Sequence, residues 1–153
     1  METYIYASKI GAISIVYNSE IIISISKASD RKNKNKHSEL IDIIISQLDS
    51  YFDGDLHRFN IPYNLTGSKF QIDVLNEISK IKYGEIITYK ELAIRSGYPN
   101  AYRAVGTVCK QNKLPIIIPC HRVVRSDGKI GEYLLGKETK KQLLEMEINN
   151  NLY

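Results

Sequence analysis

The most informative stretch of the chain is residues 116–124, which read Ile-Ile-Ile-Pro-Cys-His-Arg-Val-Val. Isoleucine and valine are among the residues most often buried, and a short apolar run of this kind is typical of a buried strand. Such a strand would carry Cys120 next to His121, and a thiol becomes a nucleophile when a neighbouring imidazole or cation lowers its pKa. Adjacent side chains of a strand point to opposite faces. A structural cysteine beside a structural histidine is therefore the more common explanation of this dipeptide taken alone.

The composition indicates an ordinary globular protein. With 153 residues, 43% of them hydrophobic, the chain can form one domain or two small ones. No apolar run approaches the length of a membrane span and the N-terminus has no signal-peptide pattern, so we expect a cytoplasmic protein without a membrane partner. The two cysteines, Cys109 and Cys120, form neither a disulfide framework nor a zinc-ligand spacing. This pattern fits a reducing compartment, and it predicts no metal and no cofactor.

The net charge of +4 is concentrated in the second half of the chain. Residues 1–65 contain 7 basic and 8 acidic side chains, whereas residues 66–153 contain 14 and 9. The second half is therefore the better candidate for binding a polyanion such as DNA, although many proteins that bind no nucleic acid have a similar excess.

Residues 1–62 predict a small α/β domain. Short β-branched or aromatic segments at residues 4–8, 13–17 and 21–26 are separated by turn-forming residues, which predicts a β-meander. Residues 27–37 hold six basic side chains and predict a solvated loop or, alternatively, an arm that contacts DNA. Ser38 can cap a helix from residue 39 to about residue 52. Its apolar stripe consists of Leu40, Ile41, Ile44, Ile45, Leu48, Tyr51 and Phe52.

Residues 63–153 contain sharper helix signals. Ser68 opens a capping box and a helix that Tyr83-Gly84 should end, and Thr88 opens a second box and a short helix that stops at Gly97. Asn100 can cap a third helix that runs to about residue 110. Two helices joined by a short turn with glycine predict a helix-turn-helix. The buried face of the first helix consists of Phe70, Val74, Leu75, Ile78 and Ile81.

The third and last helices carry the remaining signals. In the third, Gly106 costs about 1 kcal/mol relative to alanine, which close approach of a nucleic acid or of another helix would explain. The last helix should run from residue 137 to about residue 148, with the Glu147 carboxylate directed toward the core, where it needs a partner. The core stripe of the third helix consists of Ala101, Ala104, Val105, Val108 and Cys109.

Several motifs in order along the second half resemble one known family. They are TYKELA at residues 88–93, RAVG at 103–106, QN at 111–112, IPCHRVV at 118–124, GEY at 131–133 and LLEME at 143–147. Together they resemble the O6-alkylguanine-DNA alkyltransferases, also called methylated-DNA–protein-cysteine methyltransferases, over residues 65–148. The resemblance implies a ribonuclease H-like N-terminal domain followed by a winged helix-turn-helix-like domain that binds DNA and accepts the alkyl group. It also implies a monomer that transfers an alkyl group once, from O6 of guanine or O4 of thymine in double-stranded DNA, to its own cysteine.

The resemblance further implies roles for individual residues. Cys120 would be the nucleophile and alkyl acceptor, His121 its base through a bound water, and Glu147 the group that orients the imidazole. Tyr89 would donate a proton toward the departing purine, and Asn112 would hold the active-site turn. Arg103 would fill the space that the flipped base leaves, on a helix placed in the minor groove. The other DNA-contacting residues would be Gly106, Thr107, Lys110 and Arg122, and the pocket would be formed by Pro115, Val123, Tyr133, Leu134 and Leu135.

Two leucines depart from the family pattern. Many relatives have a serine and a small residue where this chain has Leu134 and Leu135, so a hydroxyl near O6 is missing and the pocket should be narrower. Three functions other than alkyl transfer are compatible with parts of this sequence, and each would leave a distinguishing feature. A lesion-binding protein without transfer activity would lack the acceptor cysteine, and an alkylation-sensing regulator should dimerise and read the major groove. A cysteine hydrolase would need an oxyanion hole and would turn over.

Overall fold

The computed structural model describes residues 1–28 and 36–151, and the chain separates into two compact units, Met1–Asn64 and Leu65–Tyr153. The mixed α/β character expected from the sequence is confirmed, because one unit contains an antiparallel sheet and the other is mainly helical. None of the helices in the described ranges combines the length and apolar surface that a membrane crossing requires.

The N-terminal unit is built on a β-meander, as predicted. Strands β1 (Glu2–Ser8), β2 (Gly11–Tyr17) and β3 (Ile22–Lys27) pair antiparallel in chain order. Alternate residues of β2 point into the core, so that Ile13 and Ile15 are fully buried while their neighbours are not.

The helix of this unit, α1 (Glu39–Phe52), has the predicted bounds. The Ser38 side chain accepts a hydrogen bond from the backbone N–H of Ile41, which satisfies one of the free donors at the helix start. The predicted stripe is buried except for Ile45, which is half-buried. Most of the predicted basic loop, residues 29–35, lies outside the described residues.

Over residues 65–151, the C-terminal unit contains four α-helices and two very short strands, besides a 3₁₀ turn described below. In chain order they are α2 (Lys69–Ser79), β4 (Ile87–Thr88), α3 (Tyr89–Arg95), α4 (Tyr102–Lys110), β5 (Val123–Val124) and α5 (Lys137–Asn150). The predicted capping box at Ser68 is present with both of its hydrogen bonds, and Thr88 caps α3. Strands β4 and β5 pair in parallel, which joins the start of α3 to the segment that follows Cys120.

Two helix ends differ from the prediction. Helix α2 ends at Ser79, not at Tyr83-Gly84, because the next N–H groups bond three residues back and tighten the last turn. Asn100 does not cap α4: the N-cap is Ala101, whose N–H bonds to the carbonyl of Tyr98 and leaves Asn100 inside a turn.

The faces of two helices also differ in part from the prediction. On α4, Val105, Val108 and Cys109 are buried, but Ala104 is exposed. On α2, Phe70 and Leu75 are only half-buried.

The expectation that residues 116–124 form a strand-like rod is wrong. Ile116, Ile117 and Ile118 are buried as expected, but they lie in turns, and Cys120–Arg122 forms a 3₁₀ helix. Pro115 and Pro119 have no N–H to donate, so this run cannot take its place in a sheet ladder. Only Val123–Val124 is extended.

Candidate active site

The Cys120 thiol lies in a turn that one buried amide holds together. The Asn112 Nδ2 donates to the carbonyl oxygen of Ile118 at 2.9 Å and to the Cys120 Sγ at 3.2 Å. The Asn112 Oδ1 accepts from the backbone N–H of Leu114 at 3.0 Å. Both ends of the amide are thus used inside the turn, which fixes the sulfur atom relative to the backbone around it.

Backbone strain is concentrated in the same turn. Ile116 has a φ of 77°, a conformation that β-branched residues rarely adopt. Such a residue costs on the order of 1–3 kcal/mol and persists only where its surroundings enforce it. The Asn112 hydrogen bonds to Leu114 and Ile118 on either side of Ile116 provide that enforcement.

Glu147 on α5 is the centre of a buried charge network. Its Oε2 lies 2.7 Å from the Nε2 of His121 and 3.0 Å from Nη2 of Arg122, and its Oε1 accepts from Nε of Arg122 at 2.7 Å. The sequence predicted that this carboxylate needs a partner, and the structure provides two, His121 and Arg122.

Arg122 corrects one prediction. The sequence placed it among the DNA-contacting residues, but it is only 5% exposed. Its guanidinium group is occupied by Glu147 and by the carbonyl oxygen of Ile81, at 2.7 Å. Arg122 therefore ties the 3₁₀ helix to α5 and to the end of α2, and it cannot reach a bound nucleic acid.

The network fixes the protonation state of its members. Burial favours a neutral Glu147, but His121 and Arg122 outweigh it and hold the pKa of the carboxyl far below its usual range. Burial, together with the positive charges of Arg122 and Lys140, lowers the pKa of His121 although Glu147 opposes this change, so the imidazole is neutral at pH 7. Because the ionised carboxylate only accepts, the imidazole proton sits on Nε2 and Nδ1 carries a lone pair. That Nδ1 is buried and has no hydrogen-bond partner within the described chain, which makes it available as a base.

The Cys120 thiol is protonated at rest. Burial raises its pKa to about 11, and the hydrogen bond from Asn112 opposes this only in part. The sulfur is therefore not a thiolate in the resting protein, unlike the sulfur of a cysteine whose pKa a neighbouring cation has lowered. A reaction at this sulfur requires a group that removes the proton.

Lys140 is a buried residue of this region that the sequence interpretation missed. Its Nζ donates to the carbonyl oxygen of Val123 at 2.6 Å and lies 3.4 Å from the hydroxyl of Tyr89. Burial lowers its pKa to about 8. A signal existed: Lys140 lies seven residues before Glu147, on the helix stripe that also holds Leu143 and Leu144. A cation on such a stripe is expected to be buried.

Tyr89 stands between Lys140 and the loop that follows β5. A Cβ at Gly131 would lie 2.9 Å from the Tyr89 hydroxyl, and Gly131 has a φ of 86°, so only glycine permits this approach. Burial, and then the charges of Cys109 and Cys120, raise the pKa of Tyr89. Its phenol therefore keeps its proton and can donate a hydrogen bond.

The predicted pocket residues divide into two groups. Pro115, Val123, Tyr133 and Leu135 are buried, and the ring of Tyr133 meets that of His121 edge-on at a centroid distance of 6.2 Å. Leu134 is 44% exposed. The two leucines that depart from the family pattern thus face different surroundings.

Cys109 is buried, and its pKa is raised by burial and then by Cys120. It was expected to be a packed core residue, and its surroundings match that expectation.

A cleft of about 810 Å³ opens beside Tyr89. It is lined by α4 residues Arg103, Gly106, Thr107 and Lys110, the predicted DNA contacts other than Arg122. A Cβ at Gly106 would meet only the Tyr89 ring, at 3.8 Å, so helix crowding does not explain this glycine. The other residues lining the cleft are Arg125, Gly128, Lys129, Ile130, Gly131, Glu132, Lys137, Glu138 and Lys141. Six basic side chains face two acidic ones, which suits a polyanion.

The described chain contains no group of three or more His, Cys, Asp or Glu side chains that could hold a metal ion.

A family model of the DNA-binding domain of 6-O-methylguanine DNA methyltransferases matches residues 69–149, the part of the chain that contains the thiol, the charge network and the cleft. The chain belongs to this family. The family membership predicted from the sequence motifs is thereby confirmed.

Curated relatives of the family extend the match. The chain is 47% identical over 104 residues to a methylated-DNA–protein-cysteine methyltransferase of Methanosarcina barkeri, covering 68% of this chain and 66% of that protein. It is 35% identical over 143 residues to a protein of the same name from Metallosphaera sedula, covering 93% of this chain and 90% of the relative.

Solved structures of the family share the fold. The crystal structure of Mycobacterium tuberculosis OGT in complex with DNA superimposes with a TM-score of 0.88 at 31% identity, covering 98% of this chain and 94% of that one. A crystal structure of O6-methylguanine methyltransferase from the same organism gives 0.87 at 30% identity, covering 97% and 93%.

Proposed function

We propose that this protein repairs alkylated DNA by direct reversal, transferring the methyl group from O6 of guanine to its own Cys120. O4 of thymine is a second substrate. The observation that supports this most directly is the juxtaposition of two features in a member of this family. One is a buried thiol beside a neutral His121 with a free Nδ1, and the other is a cation-lined cleft. Each chain reacts once, because the thioether that forms is stable and nothing in the reaction restores the thiol.

The residues divide the transfer step between them. The Cys120 proton passes to Nδ1 of His121 through a bridging water, and Glu147 stabilises the imidazolium that results. The sulfur then attacks the methyl carbon in line; the C–S bond forms as the bond from carbon to O6 breaks. The electron pair of that bond stays with guanine, and Tyr89 donates a proton to the departing purine. Lys140, 3.4 Å from the Tyr89 hydroxyl, stabilises the phenolate.

The cleft and α4 supply the DNA side of the reaction. The reacting carbon is inaccessible inside a duplex, so the base must be extruded at a cost of a few kcal/mol. Arg103 fills the space that it leaves, while Gly106, Thr107 and Lys110 lie along the minor groove, where shape and backbone contacts matter more than sequence. In this proposal residues 63–153 form a winged helix-turn-helix-like domain that carries all of the chemistry. Residues 1–62 form a ribonuclease H-like domain, and the protein acts as a cytoplasmic monomer.

The mass of the intact protein tests the proposal. After incubation with a duplex that contains one O6-methylguanine, we expect a gain of a single methyl group per chain and no second addition. Cys120→Ala should abolish the gain and leave DNA binding intact. Cys109→Ala is the matched control, since it removes the other buried thiol and should leave the transfer in place. An unchanged mass together with tight, lesion-selective binding would contradict the proposal and indicate a non-enzymatic lesion-binding protein.

The two leucines predict a restricted range of alkyl groups. Leu135 is 1% exposed and occupies space that a small residue leaves open, so O6-benzylguanine should react more slowly than O6-methylguanine. Leu135→Ala should raise the ratio of benzyl to methyl transfer, and Leu134→Ala, at an exposed position, should change it less. Labelling of the native chain by a benzylguanine fluorophore at a rate near that of methyl transfer would show that the pocket is not narrowed.

A further inference from the structure

Three lysines line the cleft in addition to the residues assigned to DNA above. Lys129 lies in the turn after β5, and Lys137 and Lys141 lie on the first two turns of α5. Because Lys137 and Lys141 are four residues apart, they share one face of that helix. We call Lys129, Lys137 and Lys141 the lysine wall.

The lysine wall forms no close ion pair within the part of the chain that the structure describes. Among the described residues no carboxylate lies within 4.0 Å of any of its three ammonium groups. Other cations of the cleft are paired: Lys110 with Glu132 at 2.8 Å, and Arg125 with Asp127 at 2.7 Å. Glu132 and Asp127 also act on Lys137 and Lys129, but only at longer range, and Glu138 is the other acidic side chain of the cleft. The wall is therefore the larger part of the cleft's unpaired positive charge, which favours a partner that brings several negative charges.

The position of the cleft relative to Cys120 indicates which phosphates of a bound DNA strand would lie beside the lysine wall. Tyr89 lines the cleft, and its hydroxyl lies 3.4 Å from the Lys140 Nζ, which in turn bonds to the carbonyl oxygen of Val123, three residues after Cys120. A guanine that reacts with Cys120 must therefore enter past Tyr89, while its sugar and phosphates stay at the opening. One strand of B-DNA carries a phosphate for about every 3.4 Å of helix axis, so those on both sides of the extruded nucleotide come near the cleft.

We propose that the lysine wall binds the phosphates that flank the extruded nucleotide on the lesion-bearing strand. The inference rests on the proposed function, because it assumes that a base enters this cleft. It separates two tasks: Arg103 replaces a base in the stack of a duplex, whereas the lysine wall holds the damaged strand itself. The wall therefore acts on single-stranded and double-stranded substrates alike, whereas Arg103 acts on duplexes.

A charge-neutralising variant tests the wall. Lys129→Gln, Lys137→Gln and Lys141→Gln would be combined, and binding to an O6-methylguanine oligonucleotide would be measured against KCl concentration. Cys120→Ala would be present in every sample so that no transfer occurs. The slope of log K against log salt should become shallower by about 0.9 per lost contact on a duplex and about 0.7 on a single strand. A matched triple variant, Lys69→Gln, Lys80→Gln and Lys82→Gln, removes the same charge outside the cleft and should leave both slopes unchanged.

Chemically modified DNA identifies the strand. Uncharged methylphosphonate linkages on both sides of the lesion should weaken DNA binding by the protein with an intact lysine wall to the level of the wall variant. The same linkages should not weaken DNA binding by the wall variant further. The same linkages in the complementary strand should leave the difference between the two proteins intact. An unchanged salt slope in the wall variant, or a difference that disappears only when the complementary strand is modified, would overturn the inference.

Transfer measurements distinguish this inference from the proposed function. With Cys120 present, the wall variant should react with free O6-methylguanine base as fast as the native protein, and with lesion oligonucleotides more slowly. If the native chain binds lesion DNA but transfers no methyl group, the proposed function fails. The binding experiments still decide whether the wall contacts the damaged strand.

Discussion

Charged side chains in the interior of the C-terminal unit are buried and paired, whereas those of the lysine wall in its cleft are exposed and form no close ion pair. Inside, Glu147, His121 and Arg122 are paired at 2.7–3.0 Å and almost fully buried. In the cleft, the lysine wall is exposed and forms no close ion pair with residues 1–28 or 36–151. Buried pairs are hardly screened by salt, whereas exposed charges are screened over about 10 Å at 0.1 M. We therefore expect the interior charges to set protonation states, and the charges of the cleft to set the affinity for DNA and its dependence on salt.

The largest expected effect follows from removing the central interior charge. Glu147→Gln leaves Arg122 and His121 buried without their anion, and breaking a buried pair in this way typically costs about 3–5 kcal/mol. We expect a loss of stability in urea unfolding and slower transfer from the free base and from DNA alike, at every salt concentration. The control is Glu145→Gln, an exposed position on the same helix. A transfer defect confined to DNA substrates would contradict the assignment of Glu147 to the chemistry.

A cleft variant should show the opposite selectivity. Arg103→Ala should slow repair in a duplex far more than transfer from the free base, because only the duplex has a stack to fill. Single-turnover rates on both substrates measure the ratio. Arg58→Ala, an exposed arginine of the other unit, is the matched control. Equal slowing on both substrates would show that Arg103 does not act as the residue that fills the stack.

The smallest effect is a pH dependence of stability that the interior alone should produce. Burial lowers the pKa of His121 from 6.5, so the unfolded chain binds a proton below that pH while the folded chain does not. The free energy of unfolding should therefore fall as the pH drops below 6.5, by at most about 1.4 kcal/mol per pH unit for this group. Glu147, whose folded pKa is lowered from 4.5, extends the loss at lower pH.

One histidine variant isolates this contribution. His121→Asn should flatten the decline between pH 6.5 and 5, as followed by circular dichroism in urea. If His121→Asn leaves the slope unchanged, the neutral state assigned to this imidazole is wrong.

The sequence predicted those parts of the molecule that depend on near neighbours. The β-meander, the caps at Ser38, Ser68 and Thr88, and the inward direction of Glu147 all follow from spacings of one to four residues. The family motifs supplied the chemistry, since Cys120 and His121 alone favoured a structural interpretation.

What the sequence did not predict depends on distant partners. Arg122 is buried because Glu147, 25 residues later, and Ile81, 41 residues earlier, meet it in space. Lys140 is buried because the carbonyl oxygen of Val123 accepts a hydrogen bond from its ammonium group, and the two-residue strands β4 and β5 exist only by pairing with each other. The apolar stripe of α5 indicates that Lys140 is buried, but no local pattern shows which distant group each of these side chains contacts. Two prolines likewise turned an apparent strand into the turn and 3₁₀ helix that present the thiol.

The raised pKa of Cys120 also affects how long an unreacted molecule remains able to accept an alkyl group. A protein that reacts once is lost to repair whenever its sulfur meets a peroxide or a stray electrophile first. At pH 7 a thiol with a pKa of about 11 is almost entirely in its unreactive form. The sulfur then becomes reactive only when a substrate fills the site and the thiol proton can pass to His121. The same burial that slows the resting thiol thus preserves the working lifetime of each copy between synthesis and its single encounter with damage.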